Sequence, residues 1–142
     1  MVERVAPVPG HWNWEPNAPC AVLISDDSGA AALALRCHPD DGDRRTVVVT
    51  WKGAVAASMG GPNDEALFTH RLYNAGLRDL LWLGEVHGST WLADAIYDRP
   101  GYRHFIASLK ETVVEVLAKS VTGTRSESPP AAAAVEALAA CH

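Results

Sequence analysis

Short apolar runs, separated by acidic turns that contain glycine and proline, fill the first half of this chain and restrict it to an antiparallel sheet. Ala21-Val22-Leu23-Ile24 is closed by Ser25-Asp26-Asp27-Ser28-Gly29, and Ala30 to His38 by Pro39-Asp40-Asp41-Gly42-Asp43. Asp, Ser and Gly supply the local hydrogen bonds and positive φ that tight turns need. The third run, Thr46-Val47-Val48-Val49-Thr50-Trp51, is rich in β-branched residues that suit a pleated surface. Lys52-Gly53 bends it and Ala54 to Met59 continues it. Connections this short join antiparallel neighbours, and no repeated β-α-β pattern argues for a parallel sheet. The acidic turn at 40–43 superficially suggests calcium, but the twelfth position of an EF-hand loop opened by Asp40 needs a carboxylate and holds Trp51.

The flanking segments read less regularly. Residues 1–19 carry Pro7, Pro9, Gly10, Pro16 and Pro19, which forbid regular helix and predict a strap along one edge of the core, or the lip of a pocket. Trp12 and Trp14, two apart, point the same way on extended backbone. Pro62-Asn63-Asp64 opens a helical turn capped by Asn63 or Asp64 and stopped at Gly76. Leu80 to Val86 is a fourth strand, broken at His87-Gly88. Ser89 caps a second helix with an apolar stripe of Trp91, Leu92, Ala95 and Ile96, ended by Pro100-Gly101.

Residues 102–121 fit two patterns equally. Ile106, Leu109, Val113 and Leu117 form a helical stripe, supported by Glu111, Glu115 and Lys119 at four-residue spacing. Read as strands, Phe105, Ala107 and Leu109 alternate with His104, Ser108 and Lys110, with Lys110-Glu111 at the turn. Beyond Thr122, Ser126-Glu127-Ser128-Pro129-Pro130 precedes an alanine-rich stretch, which predicts a linker and a marginal, mobile helix. The expected fold is α+β: a mostly antiparallel sheet of five or six strands with one or two helices packed on it. The expected organisation is an irregular strap (1–19), one α+β domain (20–121) and a mobile tail (122–142).

Composition narrows the function. The 142 residues suffice for one domain with a real core, and the net charge of −5 comes with scattered basic residues, so neither nucleic acid nor an anionic membrane is an expected partner. Three cysteines (Cys20, Cys37, Cys141) without a CxxC pair argue against a disulfide framework and against a structural zinc site. The amino terminus lacks the long apolar core of a signal peptide, and no apolar stretch approaches the roughly 20 residues of a membrane span. A reducing cytoplasmic setting is the expectation.

The chemistry-bearing candidates cluster at 63–104. Asp64, Glu65 and His70 stand together, but on a continuous helix Glu65 and His70 lie about 140° apart and Asp64 and His70 about 120°, so a helical metal motif is disfavoured. Glu85 and His87, two apart on a strand, share a face, where a carboxylate can orient an imidazole. Ser89 lacks a Gly-x-Ser-x-Gly context and reads as a cap. Gly60-Gly61 lacks the remaining residues of a phosphate loop, and no thiol has a base placed beside it. No metal and no cofactor are implied.

The block Pro62-Asn63-Asp64-Glu65-Ala66, then His70, Leu72-Tyr73 and Gly76-Leu77, followed by Glu85-Val86, Ser89, Trp91, Arg103-His104-Phe105-Ile106, Glu115 and Ala118, resembles a family of small bacterial proteins to which no activity is attached. The likeness spans roughly residues 47–118. The family pattern often has proline where Arg71 stands and a His-Asp pair where Lys110-Glu111 stands. It implies a β-hairpin over 103–118 and supplies positions, not a mechanism.

Two functions follow as expectations. One is a non-catalytic binding or accessory domain that meets a small molecule or protein partner through loop 60–76 and strand 80–87, with Asn63, Tyr73, Glu85, Trp91 and Arg103 as contacts. A homodimer is compatible with it. The other is a small cofactor-independent acid–base enzyme (a cyclase, isomerase or hydrolase) with Asp64 or Glu65 as base and His70 or His104 as acid. The enzyme requires Glu65, His70, Glu85 and His104 to converge in one concave pocket.

Overall fold

The computed structural model describes residues 2–17, 20–95 and 99–142. It is α+β, with two antiparallel sheets packed face to face. Strands β1 (Arg4–Pro7), β2 (Val22–Ser25), β3 (Ala30–Arg36), β4 (Thr46–Lys52), β5 (Ala56–Gly60) and β6 (Leu83–His87) precede helix α1 (Thr90–Asp94). Strands β7 (Arg103–Ser108), β8 (Val113–Ala118) and β9 (Ser120–Ser126) and helix α2 (Pro130–Ala140) follow. The five-stranded sheet runs β1-β6-β7-β8-β5 and the four-stranded sheet β2-β3-β4-β9. The β2-β3-β4 meander is as the turns require. The chain then leaves it at Lys52-Gly53, because β5 pairs with β8 in the other sheet.

Alternation places the core. From the four-stranded sheet Leu33, Leu35, Val47, Val49 and Trp51 point inward, and from the five-stranded sheet Leu83, Phe105, Ala107, Val114 and Val116 meet them. Trp12 and Trp14 of the strap insert into the same core. Trp12 lies so close to β9 that a Cβ on Gly123 would come within 2.7 Å of its ring. The strap also contributes β1, which pairs with β6, and a bridge from Trp14 to Cys37. Its expected Pro19 lies outside the described residues.

The sheets are apolar on both faces, so each outer face needs a cover. Over the five-stranded sheet runs the 61–80 segment, folded not as one helix but as short 3₁₀ turns at Asp64–Thr69, Tyr73–Ala75 and Leu77–Asp79. Repeated turns let the chain drop Leu72, Leu77 and Leu80 onto Val5, Val86, Ile106 and Val113. Asn63 caps the first turn, its side chain accepting from the Ala66 N–H at 3.0 Å. Gly76 has φ +118° and sits where a Cβ would be 2.5 Å from the Val5 carbonyl, so only glycine fits.

The carboxy-terminal segment departs from the linker-and-mobile-tail expectation. Residues 120–126 form edge strand β9, paired along the whole of β4, and α2 docks Ala133 and Ala134 on Ala32, Ala34 and Val48. Small residues on both sides let helix and sheet approach closely, which composition alone reads as a weak, unanchored helix. Ala134→Glu buries a charge without a partner and should release α2. Hydrogen exchange then should show amides 133–140 unprotected while β3 and β4 stay protected. Unchanged protection of α2 would refute the docking. The α1 stripe is also shorter than its pattern suggested: the helix ends at Asp94, and Ile96 lies outside the described residues.

Candidate functional site

On the outer face of the five-stranded sheet, the hairpin β7-β8 carries two polar residues among apolar ones. His104 lies across from Leu117, and Glu115 across from Ile106, so the two are diagonal neighbours on one face. His104 is fully buried. Its Nε2 donates to Glu115 Oε1 at 2.8 Å, and its Nδ1 lies 2.7 Å from Ser89 Oγ. Ser89 also caps α1, its Oγ accepting from the Leu92 N–H at 3.0 Å. One proton arrangement satisfies the whole chain: the Leu92 N–H donates to Ser89, the Ser89 hydroxyl to Nδ1, and the Nε2–H to Glu115.

The cover segment completes the surroundings. His70 ends the first 3₁₀ turn, and its Nδ1 accepts from the Leu72 N–H at 3.0 Å, which leaves Nε2 as the donor facing Glu115 Oε2 at 3.7 Å. Arg71 stands between Glu115 Oε1 and Glu3 Oε1, 3.6 Å from each. Glu3 in turn accepts from the Thr90 N–H at 3.1 Å, tying the strap to α1. Trp91 presents an edge contact to His104, ring centres 5.3 Å apart. Above Glu115 opens a pocket of about 360 Å³ lined by Ser58, Arg71, Thr90, Trp91, Asp94 and Glu115.

Electrostatics sharpen this picture. Burial alone would raise the Glu115 carboxyl, but the hydrogen bond from His104, with Arg71 and His70 nearby, outweighs it and holds the group below the usual glutamate value. Burial pushes His70 below the ordinary imidazole value, and the attraction of Glu115 only partly offsets it. Glu115 is therefore an ionised carboxylate, only 15% exposed, fixed from beneath and open on one side.

Of the predicted site residues, the fold brings together His70, His104 and Trp91. Asp64 and Glu65 are exposed on the first 3₁₀ turn and, among the described residues, their side chains make no hydrogen bond or ion pair. Asn63 is occupied as a cap. Tyr73 packs under Arg78, whose guanidinium carbon is 5.7 Å from the ring centre. Glu85 and Arg103 pair at 2.6 Å, but they share the face of Phe105, the opposite side of the sheet from His104. Glu65, His70, Glu85 and His104 thus do not converge, because β6 and β7 alternate.

Three partners were not among the predicted site residues: Glu115, Arg71 and Ser89, the last read only as a cap. One signal pointed to Glu115, the lone charged residue in Val113–Ala118, since a carboxylate inside an apolar strand needs a partner. Ser89→Ala removes both the cap and the Nδ1 partner, and urea unfolding should show a loss of about 1–2 kcal/mol with an unchanged slope.

Elsewhere, burial pushes the Cys37 thiol up, against a nucleophilic role. Among the described residues no group of three or more His, Cys, Asp and Glu is arranged to hold a metal ion, and no helix is long and apolar enough to cross a membrane. Comparison with protein-family models, curated proteins and solved structures returns no match for this chain.

Proposed function

We propose that this chain is a non-catalytic binding module that holds a small polar molecule at Glu115, between Arg71 and Trp91. The observation that carries the reading is Glu115 itself: an ionised carboxylate pinned by buried His104 at the floor of an open pocket. A group held this way is a preorganised acceptor, its rotamer locked by residues that never touch the ligand. The pocket is at the small end of the range that ligands occupy, roughly 300–1,000 Å³. Loop 60–76 contributes Arg71 and His70, while strand 80–87 serves as scaffold between β1 and β7.

The acid–base alternative is weaker on two counts. Asp64 and Glu65 form no hydrogen bond or ion pair with His70 or His104, and Glu115, the carboxylate that does meet them, has a lowered pKa and is a poor proton acceptor near neutral pH. We also propose membership of the small bacterial family that the chain resembles. Its support is that His70, Ser89, Trp91, His104 and Glu115, all quoted for that likeness, join in one contact network, of which Trp91 and Glu115 line the pocket.

A fragment screen by NMR tests the reading, with the Trp91 indole N–H assigned by comparison with Trp91→Phe. Binding fragments should shift that resonance, and Glu115→Gln should weaken them at least tenfold, about 1.4 kcal/mol. A screen in which no fragment moves Trp91 would end it.

A further inference from the structure

Resting on that reading, we infer that the ligand is a small zwitterion, its carboxylate taken by Arg71 and its ammonium by Asp94 and Glu115, with the intervening carbons against Trp91. The charges around the pocket are the reason. Arg71 is 47% exposed, and both its ion pairs are 3.6 Å long, beyond hydrogen-bond reach. Glu3 faces Nε and Glu115 faces Nη2, which holds the guanidinium in place and leaves its Nη1 end for an oxyanion. Asp94 lines the same pocket, is exposed, and among the described residues has neither a hydrogen bond nor an ion pair.

A ligand bearing only a negative charge would face Glu115, Asp94 and Glu3, and one bearing only a positive charge would face Arg71. Each half of a zwitterion cancels the repulsion that the other half would meet alone. Trp91 lines the pocket with an aromatic surface that suits both a short carbon chain and an adjacent ammonium. The rim hydroxyls of Ser58 and Thr90 add donors and acceptors without charge. The volume of about 360 Å³ admits a molecule of amino-acid size.

The test titrates the full chain at pH 7 with L-alanine, β-alanine and γ-aminobutyrate, which differ in charge spacing, and with propylamine and propionate as the separate halves. The Trp91 indole resonance reports binding. At least one zwitterion should bind ten or more times tighter than either half, and Arg71→Gln and Asp94→Asn should each weaken it fivefold or more. Both are surface changes in a fold whose integrity the same spectra report. Equal binding of propylamine or propionate, or indifference to either substitution, overturns the zwitterion. If none of the five probes moves Trp91 while fragments of another class do, the zwitterion falls and the binding reading stands. If no fragment moves it, both fall.

Discussion

His104→Leu should lower the unfolding free energy by about 3–5 kcal/mol. Leucine fills most of the imidazole's space, so the loss reports on polar groups rather than on a cavity. Glu115 forfeits a charge-assisted hydrogen bond worth about 1.5–3 kcal/mol, and the Ser89 O–H loses its acceptor, at about 1–3 kcal/mol, while its oxygen keeps the Leu92 N–H. For a domain of this size the melting temperature should fall on the order of 10 °C. A second variant separates this cause from general disruption. Adding Glu115→Leu to His104→Leu removes the stranded carboxylate, and the pair should be less destabilised than the two single losses summed, by more than about 1 kcal/mol. A loss under about 1 kcal/mol for His104→Leu, or strict additivity in the double variant, would show that the network contributes little.

Acid should destabilise the protein in two stages. The folded pKa values of His70 and Glu115 both lie below their ordinary values of 6.5 and 4.5, so between the two states it is the unfolded chain that binds more protons. For each group the stability is fully present above the unfolded value and is lost as pH falls through the folded one. Denaturant unfolding should therefore give constant stability from pH 8 to about 6.5, a first decline below 6.5 from His70, and a second below 4.5 from Glu115. His70→Gln should flatten the first decline and Glu115→Gln the second. Asp26, held at about 2 by its hydrogen bond to His142, extends the loss to strong acid, although its exposure keeps that contribution small. Equal stability at pH 7 and pH 4 would refute this account of the network. The same protonation discharges Glu115, so ligand binding should weaken over the second range.

Much of the scaffold was legible because its signals are local. The turns at 25–29 and 39–43, the β-branched run at 46–51, the Asn63 cap and the Ser89 cap each depend on a few adjacent residues. The 103–118 hairpin was not settled by pattern. Strands buried on both faces lose their alternation and mimic a helical stripe, and both β7 and β8 are of that kind. The docking of the carboxy-terminal helix was illegible for a related reason, although the helix itself was expected: an alanine face carries little hydrophobic signal until a matching face of Ala32 and Ala34 lies opposite.

The candidate site divides the same way. Sequence chemistry was sufficient to single out His70, His104 and Trp91, since imidazoles and indoles beside turns and caps are recognisable one at a time. It could not place Glu85 and Arg103 on the opposite face from His104, or give Glu115 its partners, because those outcomes depend on which side of a sheet a residue faces and on what the neighbouring strand sets diagonally across from it. Residue type and short-range spacing reside in the chain, and with them the strands, the turns and the capping residues. Strand register and sheet pairing arise only when distant segments meet, and they bring a carboxylate at 115 beside imidazoles at 70 and 104 and a guanidinium at 71.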